Sequence, residues 1–102
     1  MKTRELLTEW LEDYEKDRVK ARTYSRYKGL IKLHIMPELG DIDIGEIGKK
    51  EIQDFILRQR REGNIRNGEQ LSATTINLML TVLNLAFEYG YDMLLFVFSV
   101  LL

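Results

Sequence analysis

Hydrophobic positions recur at helical spacing in four stretches of the 102-residue chain, and polar gaps between them mark the turns. The first stretch runs from about Thr3 to Asp17, with Leu6, Leu7, Trp10, Leu11 and Tyr14 as its apolar stripe. Glu5, Glu9, Glu12, Asp13, Glu15 and Asp17 make the other side acidic. A phosphate backbone repels such a face, so it is expected to point away from any nucleic acid. Val19 to Arg22 reads as a short connector. Thr23 is a good N-cap, so the second helix is expected to start there. Tyr24, Tyr27, Ile31 and Ile35 then recur at i, i+3, i+7 and i+11, which is one helical face. Pro37 disfavours helical geometry at Met36, so this helix is expected to end near Ile35.

Pro37 to Gly48 reads as a compact, turn-rich connection in which Leu39, Ile42, Ile44 and Ile47 tuck under the bundle. The alternation at Ile42 and Ile44 suits a short strand, but the sequence offers a lone strand no partner. A third helix is expected from Lys49 to about Arg61, with Ile52, Phe55 and Ile56 facing the core. Ile47 can staple to Ile52 across the cap, and Glu51 suits the first turn. Gly63 to Gln70 is a polar loop with Arg66 at its tip. Leu71, N-cap Ser72 and Ile76 form the next staple. The fourth helix is expected to run to Tyr89 and stop at Gly90 as the C′ residue. Ile76, Met79, Leu80, Leu83 and Phe87 form its core face. The fold class is therefore all-α, a compact four-helix bundle of residues 1–92, followed by an apolar tail, 93–102.

Charge changes the picture, because its distribution is uneven. Net charge is only −1, so the chain as a whole is not a diffuse polycation. Residues 18–36 nevertheless carry six cations and no acidic residue: Arg18, Lys20, Arg22, Arg26, Lys28 and Lys32. Residues 58–66 carry four arginines against one glutamate. Acidic blocks flank both. On a helical wheel Arg22, Ser25, Arg26, Gly29 and Lys32 lie opposite the apolar face of the second helix, where they can meet a polyanion. A solvated basic face is the plain alternative. Arg58, Arg60 and Arg61 also suit the dipole at a helix C-terminus, which accounts for part of the second block.

The fourth helix carries a polar strip, Thr74, Asn77, Thr81, Asn84 and Glu88, within about a quarter of the wheel. Thr and Asn are poor helix formers, and a surface helix ordinarily uses Lys and Glu there. Hydrogen bonding to base edges or phosphates is one reason for such a strip; sequence accident is the other reading.

Other chemistry finds little support. The chain has no cysteine, which excludes disulfides and cysteine metal sites. No metal-ligand spacing occurs. His34, the one histidine, lies beside the Pro turn and reads as a capping or packing residue. The tyrosines mostly fall on apolar faces and read as core. No catalytic residue, cofactor or small-molecule substrate is expected. The start MKTRELLTEW lacks the apolar region of a signal peptide, which points to the cytoplasm.

Several residues, in order and spacing, resemble the core-binding domain of the tyrosine recombinases, the phage integrase family. They are Thr23, Tyr24 and Tyr27; His34-Ile35-Met36-Pro37-Glu38-Leu39-Gly40; Ile47, Ile52 and Phe55; Leu71-Ser72; Thr75-Ile76-Asn77; and Ala86-Phe87-Glu88-Tyr89-Gly90. Gly48 departs from the family, which often has a capping Thr there. After Asp92 the family usually continues through an Asn-Pro step into a catalytic domain, whereas here the chain reads MLLFVFSVLL. The resemblance implies a SAM-like helical domain forming half of a clamp on double-stranded DNA, in the company of other integrase protomers. The catalytic set of such enzymes lies in the later domain, so this chain is expected to bind rather than cut. Carried over by position and joined to the basic blocks, the expected DNA contacts are Lys20, Arg22, Thr23, Ser25, Arg26, Lys28 and Lys32, then Arg66. Ser72, Thr74, Thr75, Asn77 and Thr81 complete the set. Gly29 would let a backbone approach closely, with plain packing as the alternative.

Two rival classes stand beside this one. A helical protein–protein interaction module accounts for four helices and a near-zero net charge, but not for the acid-free basic helix. A scaffold tethered to membrane or assembled through the tail is the other. The tail is too short to span a bilayer. It reads as an extension of helix four packed on the bundle, as a pairing segment, or as a truncation product.

Overall fold

The computed structural model describes residues 1–63, 68 and 71–101, with side chains through Met93. Helix α1 (Thr3–Glu9) continues without a break into a π-helical segment, Trp10–Glu15. Helix α2 (Ala21–Leu30) continues into a second π-helical segment, Ile31–Ile35, and then into the short α3 (Met36–Leu39). A 3-10 turn at Ile44–Glu46 leads to α4 (Lys49–Glu62), and α5 (Ala73–Leu101) closes the bundle. The four rods confirm the all-α bundle expected from hydrophobic spacing.

The core is built where that spacing placed it. Leu7, Trp10 and Leu11 meet Leu30, Ile31 and Ile35 from the second rod, Phe55 from α4, and Ile76, Met79, Val82, Leu83 and Ala86 from α5. Trp10 is 1 % exposed and stacks on Tyr27 at 5.9 Å between ring centres. Tyr24 and Tyr27 pack half-buried against the same cluster. Leu80 and Phe87, expected in the core, lie at its margin, and Val82 and Ala86 take the centre.

Five details differ from the sequence reading. First, Tyr14 is 41 % exposed while Glu15 is buried. In the π segment the Lys16 N–H bonds Leu11 O at 3.0 Å, spanning five residues instead of four. The inward face therefore lags by about one residue, and Trp10 shares it with Glu15. Second, Thr23 is not the cap of α2. Lys20 holds the extended N-cap conformation, and the Tyr24 N–H already bonds Lys20 O at 3.0 Å. Ala21, a strong helix former, lets the helix begin three residues early. Third, the second rod does not end at Ile35. Met36 is helical (φ −60°, ψ −41°) with its N–H bonded to Ile31 O. The wide π turn accommodates Pro37, which enters the first turn of α3, where a missing N–H costs least.

Fourth, the Ile42–Ile44 segment does find a partner. Lys2 bridges Asp43 in antiparallel fashion, with Thr3 N–H bonding Ile42 O at 2.9 Å and Ile44 N–H bonding Met1 O at 3.0 Å. Thr3 Oγ1 donates to the same carbonyl at 2.8 Å, and Arg4 pairs Asp41 at 2.8 Å. The N-terminus is thereby strapped across the connection. Fifth, α5 does not stop at Gly90 but runs to Leu101. At about 1.5 Å per residue its 29 residues span about 43 Å. A Cβ at Gly90 would lie 3.0 Å from Leu6 Cδ1, so this glycine serves close helix packing instead of a left-handed stop.

Ile47 and Ile52 both pack on the core across the Gly48 N-cap, as a hydrophobic staple requires. Ser72 caps α5: its Oγ accepts the Thr75 N–H at 3.2 Å. Among the described residues, no helix is long and apolar enough to cross a membrane.

Candidate nucleic-acid interface

The second rod carries exposed cations around its surface, Arg22 and Arg26 on the side away from the apolar face and Lys28 and Lys32 toward the first rod. Lys20, Arg22, Arg26, Lys28 and Lys32 are all exposed, and none enters an ion pair among the described residues. Ser25 is exposed among them, and Thr23 is half-buried. Arg22 and Arg26 are one helical turn apart and share a strip. With no carboxylate on this helix, the field they project is not cancelled locally.

Arg18, the sixth cation of the block, is placed differently. Its Nε lies 3.9 Å from Glu15 and its guanidinium stacks 4.6 Å from the centre of the Tyr14 ring. It belongs to the α1–α5 side of the bundle.

One contact joins the basic helix to the acidic one. Tyr24 donates its hydroxyl to Glu12 Oε1 at 2.6 Å. That hydrogen bond, with burial and the Glu12 charge behind it, pushes the Tyr24 phenol above its ordinary value. Lys16 and Lys28 lie 5.7 and 5.8 Å from the same ring. Glu12 is thus brought against the basic side, and it is spent on a hydrogen bond with two ammonium groups nearby. Sequence spacing could not reveal this arrangement, because it depends on how the two rods cross.

Beyond the π segment, the second rod is pinned to α4. His34 Nδ1 donates to Gln59 Oε1 at 3.0 Å, and Gln59 Nε2 donates to Glu38 Oε1 at 3.0 Å. Arg58 Nη1 approaches Glu38 Oε2 at 3.7 Å. Burial raises the Glu38 carboxyl above its ordinary value, against the opposing pull of Arg58 and Gln59. His34 is thus a packing residue, tied across to α4. Gln59, 5 % exposed, was not singled out by the sequence; a lone polar residue in an Arg-rich turn gives no signal of burial.

The second expected set sits on the first turns of α5. Ser72, Thr74, Asn77 and Thr81 are exposed, and Thr75 is half-buried. Some of their polar groups are used locally. Ser72 Oγ donates to Thr75 Oγ1 at 2.9 Å, and Thr81 Oγ1 donates to Asn77 O at 3.0 Å. Such back-bonding explains how Ser and Thr are tolerated in a helix. The side chains of Thr74 and Asn77 make no hydrogen bond among the described residues, so they face outward with free polar groups. Helices α2 and α5, which carry the two sets, pack on each other. Arg66 lies outside the described residues. Among the described residues, no group of His, Cys, Asp or Glu is placed to hold a metal ion.

Gly29 shares the strip of Arg22 and Arg26, and a Cβ built there meets nothing within 4 Å. A packing role inside the bundle is therefore excluded for it.

A family model described as phage integrase, N-terminal SAM-like domain, matches residues 3–58. The match takes in α1 through most of α4, including the whole basic helix. No curated protein and no solved structure matches the chain.

Proposed function

Since the chain belongs to the phage integrase N-terminal SAM-like domain family, we propose that it is a DNA-binding core-binding domain that clamps the core site of a site-specific tyrosine recombinase. Residues 1–92 form that domain, and 93–102 are an apolar appendage to it. Lys20, Arg22, Arg26, Lys28 and Lys32 hold phosphates, with Thr23 and Ser25 beside them. Thr74, Thr75, Asn77 and Thr81, entered through the Ser72 cap, read or position the duplex from α5, and Arg66 adds a loop contact. The chain itself performs no strand cleavage in this reading; the parent recombinase supplies it from a separate catalytic domain. It works in the cytoplasm of a bacterium, alongside other protomers on the same DNA.

The observation that carries the reading is the exposed pair Arg22 and Arg26 on α2, one turn apart and in no ion pair among the described residues, with Lys20, Lys28 and Lys32 exposed around the same rod. A structural surface helix gains from mixed charge, and a row of like charges four apart is mildly destabilising. A polyanion offsets that cost, and duplex DNA presents charge at matching density. Glu12, the carboxylate drawn to the helix, is held by Tyr24.

Fluorescence anisotropy with duplex DNA across salt concentrations tests this. Log affinity should fall linearly with log salt, at about −0.9 per phosphate contacted. Arg22→Ala/Arg26→Ala should bind more weakly, with a slope shallower by up to about 1.8. Binding that is absent at low salt, or a variant indistinguishable from wild type, would make the basic helix a solvated face.

A further inference from the structure

We propose that Leu33 is a specificity residue of the DNA face, whose side chain packs on the C5-methyl group of a thymine in the major groove. The inference rests on the reading of α2 as the DNA-binding element and deepens it, because the cations of that helix hold phosphates, whereas Leu33 touches a base.

The placement of Leu33 is at odds with its chemistry. It is 57 % exposed, while Ile31 and Ile35 in the same π segment are 2 % and 0 % exposed. Leu33 stands two positions from each of these buried residues, which sets it across the rod from the core. Gly29, Arg26 and Arg22 lie four, seven and eleven residues before it, the spacing of one helical strip. A lone exposed leucine is ordinary on a protein surface. This one is in line with two exposed arginines that enter no ion pair among the described residues.

The strip has relief as well as charge. One turn before Leu33, a Cβ at Gly29 would meet nothing within 4 Å, so the leucine rises as a knob beside a low stretch of backbone. The knob is also held in place. Ile31 and Ile35 are locked in the core, and His34, next in sequence, hydrogen-bonds Gln59 of α4 at 3.0 Å. A contact residue whose neighbours are already fixed loses little freedom on binding.

Groove dimensions and chemistry select the occupant. A helix with its side chains is about 10–12 Å across. The major groove, about 12 Å wide, admits it; the minor groove, about 6 Å wide, does not. Arg26 and Leu33 are about 10 Å apart along the rod, so both reach one stretch of groove when Arg26 faces the duplex. Among the groups displayed there, the thymine methyl is the apolar one. Against a phosphate or a base carbonyl, leucine would strip water and return no hydrogen bond.

The full chain is used to enrich duplexes from a random-sequence pool at low salt. The enriched site is then remade with deoxyuridine in place of each thymine in turn, which removes only the methyl group. Fluorescence anisotropy should find a position where that loss weakens wild-type binding about fourfold, the worth of one methyl group taken out of water. Leu33→Ala should bind the thymine duplex at least about fourfold more weakly and no longer distinguish thymine from uracil there. Leu33→Met, which keeps an apolar tip, should retain a preference for thymine. Leu57→Ala, at a leucine 49 % exposed on α4, should keep the full ratio. Arg22→Ala/Arg26→Ala should weaken both duplexes alike. An enriched pool with no fixed thymine, equal affinity for thymine and uracil at every position, or a Leu33→Ala protein with the wild-type ratio overturns the proposal and leaves the phosphate grip of α2 standing. So does a loss of the ratio in Leu57→Ala. A wild-type chain that binds no duplex at low salt overturns the reading of α2 as a DNA face, and the role of Leu33 with it.

Discussion

Two helical glycines separate packing from surface function, and alanine at each gives opposite outcomes. Gly29 lies in α2, where an added methyl group would meet nothing within 4 Å, whereas at Gly90 in α5 the same methyl would sit 3.0 and 3.3 Å from the Leu6 methyls. In a helix interior, Ala is favoured over Gly by about 0.5–1 kcal/mol. Gly29→Ala should collect that gain in full. With about 4–8 °C per kcal/mol for a domain of this size, its midpoint should rise by about 2–8 °C. At Gly90 the same propensity gain meets Leu6, which is 2 % exposed and cannot retreat into solvent. Overpacking of a tight core typically costs about 1–3 kcal/mol, so Gly90→Ala should be neutral to destabilising by about 2 kcal/mol. Thermal unfolding followed by far-ultraviolet circular dichroism reads both. A Gly29→Ala protein no more stable than wild type, or a Gly90→Ala protein that gains stability, would refute the reasoning. The gain at Gly29 also bears on function. A position that forgoes stability without any packing need fits a surface that another backbone approaches. On the proposed DNA face, Gly29→Ala should be the more stable protein and the weaker binder.

Gln59→Ala removes two hydrogen bonds, one of them to the Glu38 carboxylate, and should cost about 2–3 kcal/mol in urea unfolding. In a double-mutant cycle with His34→Ala the losses should fall short of additive, since both side chains share one bond. Tyr24→Phe should lower the midpoint and remove most of the effect of a further Glu12→Gln, because each loses the same 2.6 Å contact. The Asp43 carboxyl is held below its ordinary value, chiefly by the Gly45 N–H and then by the terminal amine. A depressed carboxyl contributes stability above its ordinary value and loses it as pH falls through the depressed one. Asp43→Asn should therefore be less stable than wild type at neutral pH, with the gap closing in acid; a gap unchanged by pH would refute the assignment.

Much of this molecule is legible from periodicity alone. Leu6, Leu7, Trp10 and Leu11, then Ile31 and Ile35, then Phe55, Ile76 and Met79 are core residues in sequence and structure alike, because burial repeats at helical spacing. The exposed set on α2 follows from the same wheel. The misses have local causes. Two π segments shift the inward face by about one residue, and no side-chain pattern announces a five-residue hydrogen bond. Pro37 and Gly90 carry strong stop signals, but each sits where tertiary structure overrides them, Pro37 against a π turn and Gly90 beneath Leu6. The strap between Lys2 and Asp43 links positions 41 residues apart, a distance at which spacing carries no information.

The charge layout explains how a chain of net charge −1 can present both a basic face and an acidic one. The two features use adjacent rods. The first rod carries the acids, and its π segment turns Glu15 toward α5 and leaves Glu12 facing α2. Each of these carboxylates meets a different fate. Glu12 accepts the Tyr24 hydroxyl and lies beside Lys28 and Lys32, away from the Arg22–Arg26 strip. Glu15 pairs with Arg18 at 3.9 Å. The residues that separate the two fields, Trp10 and Tyr27, are stacked in the core between them.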